Sequence, residues 1–410
     1  MDAIEMQKRV QPVAAGGAGG NATLVAALAL LAGCGDAAPP DRPPGGAPQR
    51  SLVTSAAPSR VLAIGSNYIS GTAWSVAPDG TSRPMPLGAT GDTVVRSLGE
   101  VIAVLNRDPS QADNLTLLEE RAGAMVLVSQ VDLRMPAERD AYRTANPHDV
   151  IALDARTLLV ARYNVPSLAV VDVARAEVVR TVDLAPYRGA ARLPNPDALY
   201  RVGDRIYVTL QRLDDVINPT QPGMLVQLDA RTLAVTATLE LPLVNPIGAM
   251  VPVREGVVRV AMIGSYAVVG DGGVLELDLR GEAPAAEVIV RDADLPAEVR
   301  GNIDGLAVID DDAMVLKVVG ERRPGRDIDV LRVLRYGRRA RTARVLVQRG
   351  VWSGAAPVVL GDTVYVGDPG EGAGHAGAGV RRYTLAGDAR GAAAAAVGVE
   401  MFPYDLHAAP

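Results

Sequence analysis

Apolar residues in this chain come in short bursts separated by turn-forming stretches, and the bursts are too short for helices. The stretch 146–184 shows the pattern best. Val150–Leu153, Thr157–Ala161, Leu168–Val171 and Val178–Val182 read as four strands. Asp154-Ala155-Arg156 makes the first turn, and a loop through Asn164 to Ser167 makes the second. Runs rich in β-branched residues and bounded by Gly, Pro, Asn or Asp are the strand signal. A sheet of this size cannot bury both faces alone, so it has to stack against copies of itself.

Copies are present along the chain. Asn146-Pro147-His148 is matched by Asn195-Pro196-Asp197 and then by Asn245-Pro246-Ile247, with gaps of 49 and 50 residues; Asn302-Ile303-Asp304-Gly305 is a weaker match. A hairpin recurs as LGEVIAV from Leu98, LDARTLLV from Leu153, VGDRIYV from Val202, REGVVRV from Arg254, DDDAMVL from Asp310 and LGDTVYV from Leu360. Each joins two apolar strands through a Gly, Asp or Glu turn, as a tight hairpin requires. Units run from about 61 to 87 and then over about 90–140, 142–190, 191–241, 242–297, 298–349 and 350–400. The first unit lacks an inner strand. Phe402-Pro403-Tyr404-Asp405-Leu406 repeats the Pro-x-Asp-aliphatic start of Pro147–Val150 and supplies it. The expected fold is all-β: a seven-bladed β-propeller of four-stranded antiparallel blades, its ring closed by pairing of N- and C-terminal segments. Closure removes the exposed sheet edge.

The blade pattern resembles the YVTN propellers, also called lactonase-like or surface-layer-type. Thr157–Asn164 followed by Leu168–Asp172 is the nearest copy, and Met224–Thr232 and Val274–Asp278 match its third-strand part. The resemblance covers residues 60–410, with the middle blades the better copies. Trp74 and Trp352 are the only tryptophans and Gly272-Gly273 the only plausible kelch-type pair, so WD40, quinoprotein and kelch propellers fit less well. What the resemblance implies for chemistry is a lactonase or other hydrolase with a metal site at the channel.

Residues 1–33 read as a leader. Lys8 and Arg9 precede an apolar run of 11 residues, Ala22–Ala32, which suits a signal-peptide core and is too short to span a bilayer. Leu31-Ala32-Gly33-Cys34 resembles the lipobox of bacterial lipoproteins, in which the Cys carries the lipid, and Cys34 is the chain's one cysteine. Asp2 and Glu5 are unusual in such a leader and would be removed by a start at Met6. Residues 34–58 are a Pro/Gly/Ala-rich tether with little to bury, and 59–410 form the propeller domain. The expected location is the bacterial cell envelope, lipid-anchored at the outer membrane, periplasmic face or cell surface.

Composition narrows the chemistry. Aromatic residues are 3% of the chain, so the core must be built from Val, Leu, Ala and Ile. A net charge of −6 argues against a general nucleic-acid binder. The three histidines, His148, His375 and His407, lie in different units without metal-type spacing, and no G-x-S-x-G elbow occurs. No metal or cofactor is expected on these grounds. The starts of the inner strands carry His148, Asp149, Asp197, Asp304, Tyr404 and Asp405, which could converge at the channel mouth and hold a cation or a basic ligand. The plain alternative is that these Asp residues cap turns and face water. Arg332, Arg335, Arg338, Arg339, Arg341 and Arg344 fall on the outer hairpin of blade six. They read as a solvated strand that blocks edge pairing, or as a site for anionic polymer or lipid. The glycine run 370–379 reads as a loop of blade seven, with neither the sequence nor the following helix of a phosphate loop.

These readings lead to a monomeric, non-enzymatic envelope lipoprotein whose propeller is a binding or protein-interaction platform, its partner an envelope protein or polysaccharide. The alternative is the metal-using hydrolase that the resemblance implies.

Overall fold

The structure, a computed structural model, describes residues 57–108, 112–215, 217–265, 270–320, 331–350, 353–371, 375–385, 397–399 and 401–410. All lie within the compact unit Ser51–Pro410. Cys34, the leader, nearly all of the tether, Trp352 and the loop 321–326 fall outside the described residues.

Seven antiparallel sheets follow one another along the chain. Blade three occupies Pro147–Ala152, Thr157–Arg162, Ser167–Asp172 and Glu177–Asp183, paired in that order. Blades two, four, five and six repeat this arrangement, with inner strands Thr93–Leu98, Pro196–Val202, Pro246–Arg254 and Asn302–Val308. Blade seven shows three strands among the described residues, starting at Val358–Leu360. A single bridge, Val380 to Val397, lies where a fourth strand would pair. Blade one takes its inner strand from the other end of the chain. Phe402–Ala409 pairs with Arg60–Ser66 from Arg60/Ala409 to Ser66/Phe402, which closes the ring. No described helix is longer than a three-residue 3₁₀ turn, and none could cross a membrane.

The physical basis of the stacking is two-sided burial. Leu158 and Val160 pack into a core shared with blade two, while Leu159 and Ala161, the alternate residues of the same strand, pack into a core shared with blade four. The described residues form seven such clusters, one at each junction of neighbouring blades. Strand side chains alternate faces, so a continuous apolar run such as TLLVA serves two interfaces at once.

The hairpin turns follow local chemistry. Gly99, Gly203 and Gly361 take φ of +66°, +58° and +57° at the first turn position, a conformation that side-chain-bearing residues rarely adopt. The Asn-Pro repeats have an equally local cause. Asn146, Asn195 and Asn245 all have positive φ, at 48°, 50° and 60°, which Asn tolerates better than most residues. In that conformation their carbonyls accept the N–H of Tyr163, Gln211 and Ile263, each at 3.0 Å. The repeat at near-50 spacing is therefore a device that ties the start of the inner strand to the end of the next strand in blades three, four and five.

Arg332 and Arg335 lie on the third strand of blade six, Leu331–Gly337, and Arg344 on the fourth, Thr342–Arg349. Arg335 stands directly opposite Arg344. Arg338, Arg339 and Arg341 occupy the connecting turn, where Arg338 is 3.9 Å from Glu276 and Arg339 is 3.8 Å from Asp312.

Candidate functional site

Each inner strand begins at the same face of the ring. Five of them carry an irregularity there: at Pro147/Asp149, Pro196/Leu199, Ile247/Val251, Ile303/Gly305 and Pro403/Asp405. A bulge inserts residues without partners and re-aims the side chains around it. The inserted residues include His148, Asp197, Asp304 and Tyr404. Four of the six sequence-derived site residues thus sit at bulges, and Asp149 and Asp405 immediately follow one.

Five of the six come together over blades one to four. The His148 ring nitrogen Nδ1 lies 2.7 Å from Asp197 Oδ1, and its ring stacks on Tyr163 with centroids 4.2 Å apart. The Tyr163 hydroxyl donates to Gln211 Oε1 at 2.6 Å. Asp149 and Asp405 share Arg96, at 2.8 Å from its Nε and 3.3 Å from its Nη1 respectively. The remaining bonds of these two carboxylates reach across blade junctions: Asp149 accepts the N–H of Leu199 and Asp405 that of Val95, both at 2.8 Å. Tyr404 donates to Asp92 at 2.8 Å and accepts from Arg107 at 3.0 Å, and Arg107 is 2.5 Å from Asp92. Asp304 lies apart. It pairs with Lys317 at 2.9 Å, whose ammonium also donates to the carbonyls of Ser353 and Gly354, linking blade six to the strand-free start of blade seven.

The electrostatics follow from burial and pairing. Burial opposes the charge on Arg96, but Asp149 and Asp405 outweigh it and raise its pKa. Burial raises the carboxyl of Asp405, against the pull of Arg96. Burial also lowers the His148 imidazole, with Asp197 working in the opposite direction, and pushes His407, deeper along the same inner strand as Tyr404, down to about 3 with Arg96 adding to the effect. The mouth therefore presents a neutral His148 held by a carboxylate, beside arginines already matched to Asp92, Asp149 and Asp405. Among the described residues, no three His, Cys, Asp or Glu side chains converge to hold a metal ion.

Several mouth residues were not singled out from the sequence. Arg96 is the one charged residue of the inner strand TVVRSL, and an arginine inside an apolar strand was a readable signal. Arg107 and Asp92 gave no such sign. Tyr68 lies at the tip of the first hairpin of blade one with a φ of 65° and is 40% exposed. Its ring approaches Phe402 at 5.2 Å and Tyr404 at 5.9 Å. The glycine-rich loop brings His375 onto Phe402 at 4.6 Å, with His375 Nδ1 held 2.8 Å from the Pro369 carbonyl. Aromatic residues make up only 3% of the chain, yet the ring contacts among the described residues gather at this mouth.

No family model matches the chain, and no curated protein matches it. Solved structures do. A 6-phosphogluconolactonase candidate from Bacteroides fragilis NCTC 9343 aligns with TM-score 0.55 and 10% identity over 86% of this chain and 98% of its own. One from Bacteroides uniformis ATCC 8492 aligns with TM-score 0.53 and 10% identity over 86% and 99%. Kuenenia stuttgartiensis hydrazine synthase aligns with TM-score 0.50 and 12% identity over 77% and 90%. At these identities the likeness shows the propeller fold and no activity.

Proposed function

We propose that this protein is an envelope lipoprotein, held to the membrane by a lipid on Cys34 and a tether over 34–58, whose propeller binds a ligand at its aromatic channel mouth. The observation that carries this reading is that the ring contacts among the described residues fall in two groups at the strand starts, Tyr68, Phe402, Tyr404 and His375 in one and His148 with Tyr163 in the other, in a chain with 3% aromatic residues. Rings backed by a few oriented polar groups suit a ligand with flat apolar faces and polar edges. Sugar rings of an envelope polysaccharide have that form. The resemblance of the repeats to YVTN propellers is consistent with this platform role.

The test is binding of the full-length protein and its Tyr68→Ala variant to a panel of immobilised glycans. Retention of at least one glycan by the wild type, weakened about tenfold by the substitution, supports the reading. No retention, or equal retention by both proteins, counts against it. The anchor is tested separately: Cys34→Ala should move the protein from the membrane fraction to the soluble one.

One observation favours a hydrolytic alternative. His148, neutral and oriented by Asp197, has the form of a general base held by a carboxylate. Turnover of a lactone panel that is lost in His148→Ala would replace the binding reading with this one.

A further inference from the structure

At the junction of blades five and six, Gly264–Ser265 and Gly270–Gly273 lie beside three buried side-chain oxygens that have no hydrogen-bond partner. Asp292 is fully buried. Its Oδ1 accepts the Ile303 N–H at 3.2 Å, while its Oδ2 has no hydrogen-bond partner. Asn302 is 7% exposed; its amide nitrogen donates to the Ser265 carbonyl at 3.1 Å and its Oδ1 is also without a partner. Asn245, fully buried, binds the Gly264 carbonyl at 3.1 Å and likewise leaves its Oδ1 unmatched. Asp271 completes the surroundings, with its carboxylate accepting the Ser265 N–H at 3.0 and 3.1 Å.

These groups form a closed circuit. Asp292 holds Ile303, the neighbour of Asn302. Asn302 holds Ser265, which Asp271 holds from the other side. Gly272, next to Asp271, returns to Asp292 by accepting its N–H at 3.2 Å. Two glycines make room for it. A Cβ on Gly272 would come within 2.6 Å of the orphaned Asp292 Oδ2, and one on Gly264 would run into Asp271 Oδ1.

Folded proteins rarely leave buried acceptors unmatched, and a buried carboxylate without a counter-charge is the costliest case. Asp292 has no cationic partner among the described residues; burial raises its carboxyl and Asp271 adds to that, against the N–H groups of Ile303 and Gly272, which pull it down. The missing element is a positive charge that accepts several oxygen donors. Among the described residues the unmatched atoms are oxygens, a carboxylate and neutral amides, with the Asp271 carboxylate beside them and no nitrogen or sulfur ligand. That donor set belongs to a hard cation, and neutral amide oxygens beside two carboxylates suit Ca²⁺ over Mg²⁺, which demands a strict octahedron and keeps its waters.

We propose that this junction is a binding site for one Ca²⁺ ion, liganded by Asp271, Asp292 and Asn302, with Asn245 behind the same turn, and that the ion locks the upper turn of blade five to the inner strand of blade six. The site is independent of the ligand at the mouth, so it stands or falls without that reading.

The experiment is calorimetric titration of CaCl₂ into the full-length protein in detergent micelles after chelator dialysis, with thermal melts alongside. The expected result is one Ca²⁺ per chain and a Tm that rises and then saturates with added CaCl₂, while MgCl₂ produces a much smaller rise. Asp292→Asn keeps the shape and the Ile303 contact, so it should fold with a metal-free Tm no lower than that of the metal-free wild type and show no Ca²⁺ response. Asp271→Asn, in the more exposed part of the turn, should weaken Ca²⁺ at least tenfold and serves as the second variant should Asp292→Asn misfold. Absence of binding heat and of any Tm shift in the wild type would overturn the proposal and assign the orphaned oxygens to a proton on Asp292 or an enclosed water. Equal Ca²⁺ binding by wild type and Asp271→Asn would overturn it as well, and an equal response to Mg²⁺ would overturn the choice of ion.

Discussion

The Asp405 carboxylate accepts the backbone N–H of Val95 at 2.8 Å, so the last strand of the chain is bonded to the inner strand of blade two. Asp149 holds Leu199 in the same way at the junction of blades three and four, and the two carboxylates meet on Arg96. The closing strand is thereby fastened on both sides, to blade one through its ladder with Arg60–Ser66 and to blade two through one side chain.

Asp405→Ala should therefore destabilise the ring by about 3 kcal/mol, because it strands a buried N–H and removes half of the charge matching Arg96. Asp149→Ala should do the same, and the double variant should cost more than the sum, since only it leaves the buried Arg96 with no counter-charge. Urea unfolding of the three variants checks this. Strictly additive losses would show that Arg96 does not couple the two.

Lys317 is buried against Asp304 and two carbonyls. Lys317→Met removes the ammonium that faces the nearly buried Asp304 carboxylate and should cost about 3–5 kcal/mol. Adding Asp304→Leu should recover most of that loss, because removing both charges removes the desolvation problem. Denaturant midpoints of the single and double variants measure it, and a double variant no better than Lys317→Met would contradict the argument.

His407 supplies a pH dependence. Its folded pKa, about 3, lies below the unfolded value near 6.5, so between these values the unfolded chain binds more protons. Its share of stability is complete above about pH 6.5 and is lost as pH falls toward 3. By pH 5 the loss is about 2 kcal/mol. His407→Gln should shrink the difference in unfolding free energy between pH 7 and pH 5 by that amount. An unchanged pH profile would show that His407 is not held neutral.

Arg335 and Arg344 stand directly opposite each other on the outer strands of blade six, where like charges repel. Arg335→Glu should raise stability by about 0.5 kcal/mol at low salt, with the gain shrinking as salt screens it. A loss of stability would mean that the exposed arginine serves a contact worth more than the repulsion.

Much of the ring was legible because its determinants are local. Strand length, the Gly and Asp turns at Gly99, Gly203 and Gly361, and the Asn-Pro repeat each act within a few residues of backbone. The likeness of Pro403-Tyr404-Asp405 to Pro147-His148-Asp149 was enough to assign the closing strand. The site was harder to read. Aligning the two Asn-Pro segments by sequence sets Asp197 beside His148, and in space the two residues bond to each other across a blade junction. The Asp149 position is filled in blade four by Ala198, so the carboxylates form no regular circle.

The chain's own pattern decided the blade count, the blade boundaries and the circular closure, since periodicity and turn chemistry are read along the backbone. Which charge meets which was decided only by folding. Arg96 finds Asp149 and Asp405 from 53 and 309 residues away, and Tyr68 and His375 reach Phe402 from opposite ends of the chain. Bulges at the strand starts choose where those side chains point, and no spacing rule along a strand predicts which residue a bulge will turn into the channel.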